Sequence, residues 1–199
     1  MTDSVDVTTY SDDKILGQVC PSLELLEVVR GEKIDLQPGK VHVLYFFNTF
    51  YKGAYPVNEE LTKLSEKFTE VTFVAISNDA EKEKVEKFLG KTIVDENTKE
   101  QQRLAVQYIY YDDKKATAKM FCDLANLSVM SCPMAFIVDK NGKVAWRQQF
   151  LQTFTISQSN FEAQLKHVLA GEELESNGPR PKVEVEGESA ECDDMSLFQ

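Results

Sequence analysis

The sequence predicts an α/β fold: a central mixed sheet held between helices as a three-layer α/β/α sandwich. Three observations carry this. Residues 41–47 (Val-His-Val-Leu-Tyr-Phe-Phe) are almost continuously apolar, the pattern of a strand covered on both faces. Strand-like and helix-like stretches then alternate along the chain, which implies parallel neighbours joined by helical crossovers. Finally, Asp139-Lys140-Asn141-Gly142 separates two apolar runs. Asn-Gly readily supplies the positive φ of a tight hairpin, so an antiparallel edge is expected there.

Each element has its own signal. Residues 23–29 and 33–36 are apolar-rich runs around Arg30-Gly31 and read as an N-terminal β-hairpin. Pro38-Gly39 turns the chain into the central strand. Residues 56–68 follow as a helix, with Val57, Leu61, Leu64 and Phe68 at helical spacing and Pro56 suited to the first turn. Residues 71–77 give a second buried strand, rich in β-branched side chains.

Asn78 and Asp79 read as caps for the next helix, which buries Val85, Phe88 and Leu89 and stops at Gly90. Residues 91–102 are ambiguous by pattern. Residues 104–111 read as a strand, and Asp112-Asp113 begins a helix to about residue 125. Residues 134–138 and 143–147 flank the Asn-Gly turn. Ser157 reads as the cap of a last helix carrying Phe161, Leu165, Val168 and Leu169 and ended by Gly171.

These signals place one domain at residues 16–171, between a flexible acidic N-terminus (1–15) and an acidic tail (172–199). The 199 residues carry a net charge of −11. From Glu172 onward nine acids face only Arg180 and Lys182, so most of the excess sits in the tail. Nucleic acid and anionic membranes are therefore poor partners. The tail reads as a solubilising extension, or as an interaction arm, because Met195-Ser196-Leu197-Phe198 places an apolar hook after the acids.

No stretch has the length of a membrane-spanning helix, and the N-terminus lacks the layout of a secretory signal, so a cytoplasmic location is expected. Cys20, Cys122, Cys132 and Cys192 form no Cys-x-x-Cys pair. With only His42 and His167 beside them, neither a metal site nor a cofactor is expected. Scattered free thiols suit a reducing compartment.

Several local motifs stand in a telling order. Gly17-Gln18-Val19-Cys20-Pro21-Ser22-Leu23-Glu24-Leu25 opens with a glycine, a proline and an apolar run. Residues 41–55 join an apolar strand to a turn, followed by Glu59-Glu60-Leu61. Ser131-Cys132-Pro133-Met134-Ala135-Phe136-Ile137-Val138-Asp139 and then Asn141-Gly142-Lys143-Val144 complete the series. Over roughly residues 16–170 this resembles the redoxin branch of the thioredoxin superfamily, the thiol–disulfide oxidoreductases and peroxiredoxin-like proteins. The resemblance implies a thioredoxin-like fold, a cis peptide before Pro133, and a redox turn at the mouth of the first long helix.

That family's chemistry needs a Trp-Cys-x-x-Cys turn, where the helix N-terminus stabilises a thiolate and a second cysteine resolves the mixed disulfide. The matching stretch here is Thr49-Phe50-Tyr51-Lys52-Gly53-Ala54, so Tyr51 and Ala54 fall on the two cysteine positions. Neither side chain attacks a disulfide. Tyr45, six residues before Tyr51, falls where family members often carry a polar group that helps move protons. A peroxidatic reading fails as well, since residues 46–54 hold no cysteine. Lys52 reads as a solvated loop residue.

Among the remaining thiols, Cys132 precedes the expected cis proline and is the fallback nucleophile; otherwise it is a small apolar filler. Cys122 and Cys20 read as packing residues and Cys192 as a tail residue. His42 reads as a core histidine, and His167 as a cation suited to a helix C-terminus. The resemblance further implies a groove beside the cis proline that pairs with an extended peptide. Phe50, Tyr51, Tyr55, Met130, Cys132 and Met134 would line it, either to hold a protein partner or to plug a dead site. The expected function is a redox-inactive binding module or structural subunit. The competing expectation is a thiol oxidoreductase using Cys132, alone or with Cys122.

Overall fold

The computed structural model describes residues 7–9, 13–90, 92–95, 98–102, 104–174 and 179–181. In chain order its elements are β1 (Val7–Thr9), β2 (Glu27–Arg30), β3 (His42–Phe47), α1 (Tyr55–Lys67), β4 (Thr72–Ser77), α2 (Lys82–Leu89) and β5 (Thr92–Asp95). Then come β6 (Thr98–Gln102), β7 (Tyr108–Tyr111), α3 (Ala116–Ala125), β8 (Met134–Val138), β9 (Val144–Gln149), α4 (Phe161–Ala170) and β10 (Pro179–Pro181).

The apolar run at 42–47 lies in the middle of the six-stranded sheet, whose order is β2-β7-β4-β3-β8-β9. It pairs parallel with β4 and antiparallel with β8. Every residue of β3 is buried, because alternate side chains enter two separate cores. Val43, Tyr45 and Phe47 point into one core, together with Leu61 of α1, Phe88 of α2 and Leu165 of α4. Leu44 and Phe46 point into the other, against Phe121 of α3 and Phe136 of β8. There the Phe46, Phe121 and Phe136 rings sit 4.7–5.8 Å apart, tilted or edge-on. Such ring pairs are worth about 0.5–1.5 kcal/mol beyond their burial. Helices on both faces of a mixed sheet give the expected three-layer sandwich.

Several local expectations change. Residues 23–29 and 33–36 form no N-terminal hairpin; β2 pairs antiparallel with β7 instead. A side chain holds the second run. The Tyr110 hydroxyl donates to the Glu32 carbonyl (2.7 Å) and accepts from the Ile34 N–H (2.9 Å). Gly31 allows this route: its φ is +81°, and a Cβ there would lie 2.8 Å from the Gln107 carbonyl oxygen. The strand expected at 104–111 shortens to Tyr108–Tyr111, although Leu104 and Val106 still reach the first core. The ambiguous stretch at 91–102 contains the antiparallel pair β5–β6.

Both ends of the domain reach further than 16–171. Ile15 is fully buried, and the Asp13 carboxylate pairs with the guanidinium of Arg147 inside the protein. β1 and β10 pair antiparallel, so part of the N-terminus expected to be flexible meets part of the acidic tail, and β10 also touches β9. The apolar hook at 195–198 and Cys192 lie outside the described residues.

Candidate functional site

The candidate site lies where β3 hands over to α1. After Phe47 the chain leaves the sheet, makes a turn through residues 48–51, and passes through a 3-10 turn at Lys52–Ala54 into α1. Pro56 sits in the first turn of that helix, as its missing N–H allows. No cysteine lies anywhere in this stretch.

What shapes the turn is Asp79, at the end of β4. Its carboxylate accepts from the Thr49 N–H (3.0 Å), the Thr49 hydroxyl (2.9 Å) and the Ser77 hydroxyl (2.8 Å). Asp79 is 2% exposed, so these bonds are shielded from water and take up its acceptor capacity. It therefore does not cap α2, which begins at Lys82 after Glu81 and has no side-chain cap. Ser157 is likewise diverted from capping α4. Its hydroxyl and N–H go to the Glu60 carboxylate (2.7 and 3.0 Å), which also accepts from Thr155, tying α1 to the turn before α4.

Phe50 is 75% exposed at the tip of the turn. Tyr51 folds back, so that a Cβ at Gly53 would lie 2.6 Å from its phenol. Glycine at 53 thus makes room for the tyrosine ring. Ala54 is fully buried at the helix mouth, and its N–H donates to the Tyr51 carbonyl (3.1 Å). Beneath the turn, Tyr45 is buried and its hydroxyl donates to Asn58 Oδ1 (2.6 Å). Burial pushes the Tyr45 phenol well above its usual range, so it stays neutral.

On the far side of the turn the Cys132–Pro133 peptide is cis. Cys132 is half-buried against the second core, and Asn78 Nδ2 donates to its sulfur (3.8 Å). Burial pushes the thiol up to about 12, against a smaller opposing pull from Asn78 and Lys115. At neutral pH Cys132 is a protonated thiol, not a thiolate. Cys122 faces the second core from α3, where burial also raises its pKa. Cys20 is buried and pushed to about 12 for the same reason.

The expected groove residues separate. Phe50 and Tyr51 offer surface at the turn, with part of Cys132 beside the cis bond. Tyr55 turns the other way and packs its ring 6.0 Å from Phe88 on α2. Met134 is 1% exposed, because its register on β8 aims it with Phe136 and Val138 into the second core. Met130 is buried there too. Lys52 is exposed. His42 is buried, accepts from the Gln37 N–H (3.4 Å), and is held below the usual histidine range by burial. His167 ends α4 with its Nδ1 2.9 Å from Glu172.

A profile of a family described as thioredoxin-like matches residues 39–144, which spans β3 through the start of β9. The chain belongs to the thioredoxin-like family. Among solved structures, this thioredoxin-like chain is similar to an uncharacterised conserved protein of Geobacillus kaustophilus, with 19% identity and a TM-score of 0.63. That match covers 88% of this chain and 93% of the other. It is also similar to a putative thiol:disulfide interchange protein DsbE of Chlorobium tepidum, with 20% identity, a TM-score of 0.55, and 78% and 96% covered. A hypothetical protein of Sinorhizobium meliloti shares 14% identity at a TM-score of 0.57, over 83% and 90% of the two chains. No curated protein matches the chain. At these identities the likeness speaks for the fold alone.

Proposed function

We propose that this thioredoxin-like protein is redox-inactive and binds a protein partner at the turn beside the cis proline, as a binding module or a subunit of an assembly. The observation that carries this reading is the helix mouth. Tyr51 and Ala54 stand where the family's chemistry needs two sulfurs, and Tyr51 is accommodated there by Gly53. A nucleophile is missing from the place where the α1 dipole would activate it. Phe50, three-quarters exposed, is the surface such a site offers instead: an aromatic anchor next to a loop suited to an extended segment.

The enzyme reading needs the Cys132 thiolate, alone or with Cys122. Burial holds both thiols protonated, which counts against it. Free thiols at Cys20, Cys122 and Cys132 support a reducing, cytoplasmic compartment. Among the described residues no helix is long and apolar enough to cross a membrane.

Affinity capture from native extract tests the reading, with the intact chain and a Tyr51→Asp variant side by side. The intact chain is expected to retain a stoichiometric partner that Tyr51→Asp loses at unchanged thermal stability. Equal capture by both contradicts binding at this turn.

A further inference from the structure

Next to the cis-proline loop, where α3 begins, lies a second feature that the turn itself does not use: a pocket of about 280 Å³. Lys114, Lys115 and Lys119 stand around it, while Cys122, Leu127 and Met130 give it an apolar side. The volume is close to the lower end of ligand-sized cavities.

The lysines are not equally committed. Lys119 pairs with Asp123 at 2.8 Å one turn along the helix, and Lys114 sits 3.5 Å from Asp113. Both pairs are exposed, the kind that exchanges readily with another carboxylate. Lys115 has no ion pair among the described residues. Its backbone is also unusual. Lys114 and Lys115 have φ of 54° and 57°, a left-handed conformation that costs an L-residue about 1–2 kcal/mol. Asp112 holds this turn in place by accepting from the Thr117 and Ala118 amides (2.9 and 2.7 Å).

The wall toward the turn is Asn78, which is 3% exposed. Its Nδ2 is spent on the Cys132 sulfur, and its Oδ1 is buried with no donor among the described residues. A buried amide oxygen without a donor costs about 1–3 kcal/mol. The pocket therefore combines an edge of three lysines and Asp123 with an apolar side. An acidic peptide supplies both complements at once: a carboxylate for the lysines and an apolar side chain for the opposite side.

We propose that this pocket takes an acidic segment of the protein partner, with a carboxylate at Lys115 and a neighbouring apolar side chain against Cys122, Leu127 and Met130. This rests on the binding-module reading and adds the chemistry of what is bound. It also gives the strained double-lysine turn a use, since relaxing it would withdraw the cations from the pocket edge.

The test is fluorescence anisotropy of the full chain with a labelled peptide carrying Asp-Glu-Asp followed by Leu-Phe, and with its Asn-Gln-Asn counterpart. The acidic peptide is expected to bind at least about tenfold tighter than the amide peptide, and Lys115→Glu to weaken it about tenfold, while Lys115→Arg keeps it. Thermal unfolding of Lys115→Glu checks that this exposed change leaves the fold intact. Equal binding of both peptides, or no effect of Lys115→Glu, overturns the acidic preference and leaves the binding-module reading standing. Failure of the full chain to bind either peptide also overturns it, while the Tyr51→Asp capture experiment tests the broader reading separately.

Discussion

Two buried groups decide what the site residues can do. Asp79 gathers three donors from the turn and from Ser77, so removing it strands those donors in a dry place. Asp79→Ala is expected to cost about 2–3 kcal/mol in urea unfolding and to loosen the turn that carries Phe50. Cys132 is governed by burial. Its pKa rises from 9.0 to about 12, so between those values the unfolded chain loses the proton while the folded chain keeps it. Stability at this position is therefore unaffected below about pH 9 and falls as the pH climbs from 9 toward 12. A Cys132→Ala variant should show a shallower alkaline decline in chemical unfolding than the parent. An identical decline in both would show that this thiol is not held protonated by the fold.

At the scale of elements, capping explains where sequence reading succeeded and where it slipped. Asp112 was legible as a helix start, and its carboxylate does take the first amides of α3. Asp112→Ala should cost about 1–2 kcal/mol, with Asp112→Asn losing less. Asp79 and Ser157 carry the same local signature as Asp112, yet each is claimed by a partner distant in sequence, Thr49 in one case and Glu60 in the other. Nothing within a few residues of either position announces that competition. The missing hairpin has the same origin. The run at 33–36 looks strand-like, but its Ile34 N–H goes to the hydroxyl of Tyr110, 76 positions away, rather than to a strand partner. By contrast, the strands at 42–47 and 134–138 were readable because their apolar patterns reflect burial on both sheet faces.

For the whole molecule, the family and the layered architecture were visible in motif order, while the margins of the domain were not. Asp13 gave no sign that it reaches Arg147, which lies 134 positions along the chain and reads as an ordinary polar residue of an edge strand. Both side chains are almost wholly buried, so Asp13→Ala removes a charged hydrogen-bond acceptor from a buried guanidinium. The expected cost is about 1.5–3 kcal/mol, measured as a fall in the unfolding midpoint. The site was legible only in part. The cysteine-free turn at 46–54 is plain in the sequence, but the burial of Met134, the turn of Tyr55 toward Phe88 and the lysine-edged pocket emerge only when strand register and helix start are fixed.

If no sulfur nucleophile works at the mouth of α1, the protein does not catalyse the reduction of insulin disulfides by dithiothreitol. The intact chain is expected to leave the rate at that of dithiothreitol alone, with Cys132→Ser indistinguishable from it. A clear acceleration that disappears in Cys132→Ser would show instead that this thiol is a working nucleophile.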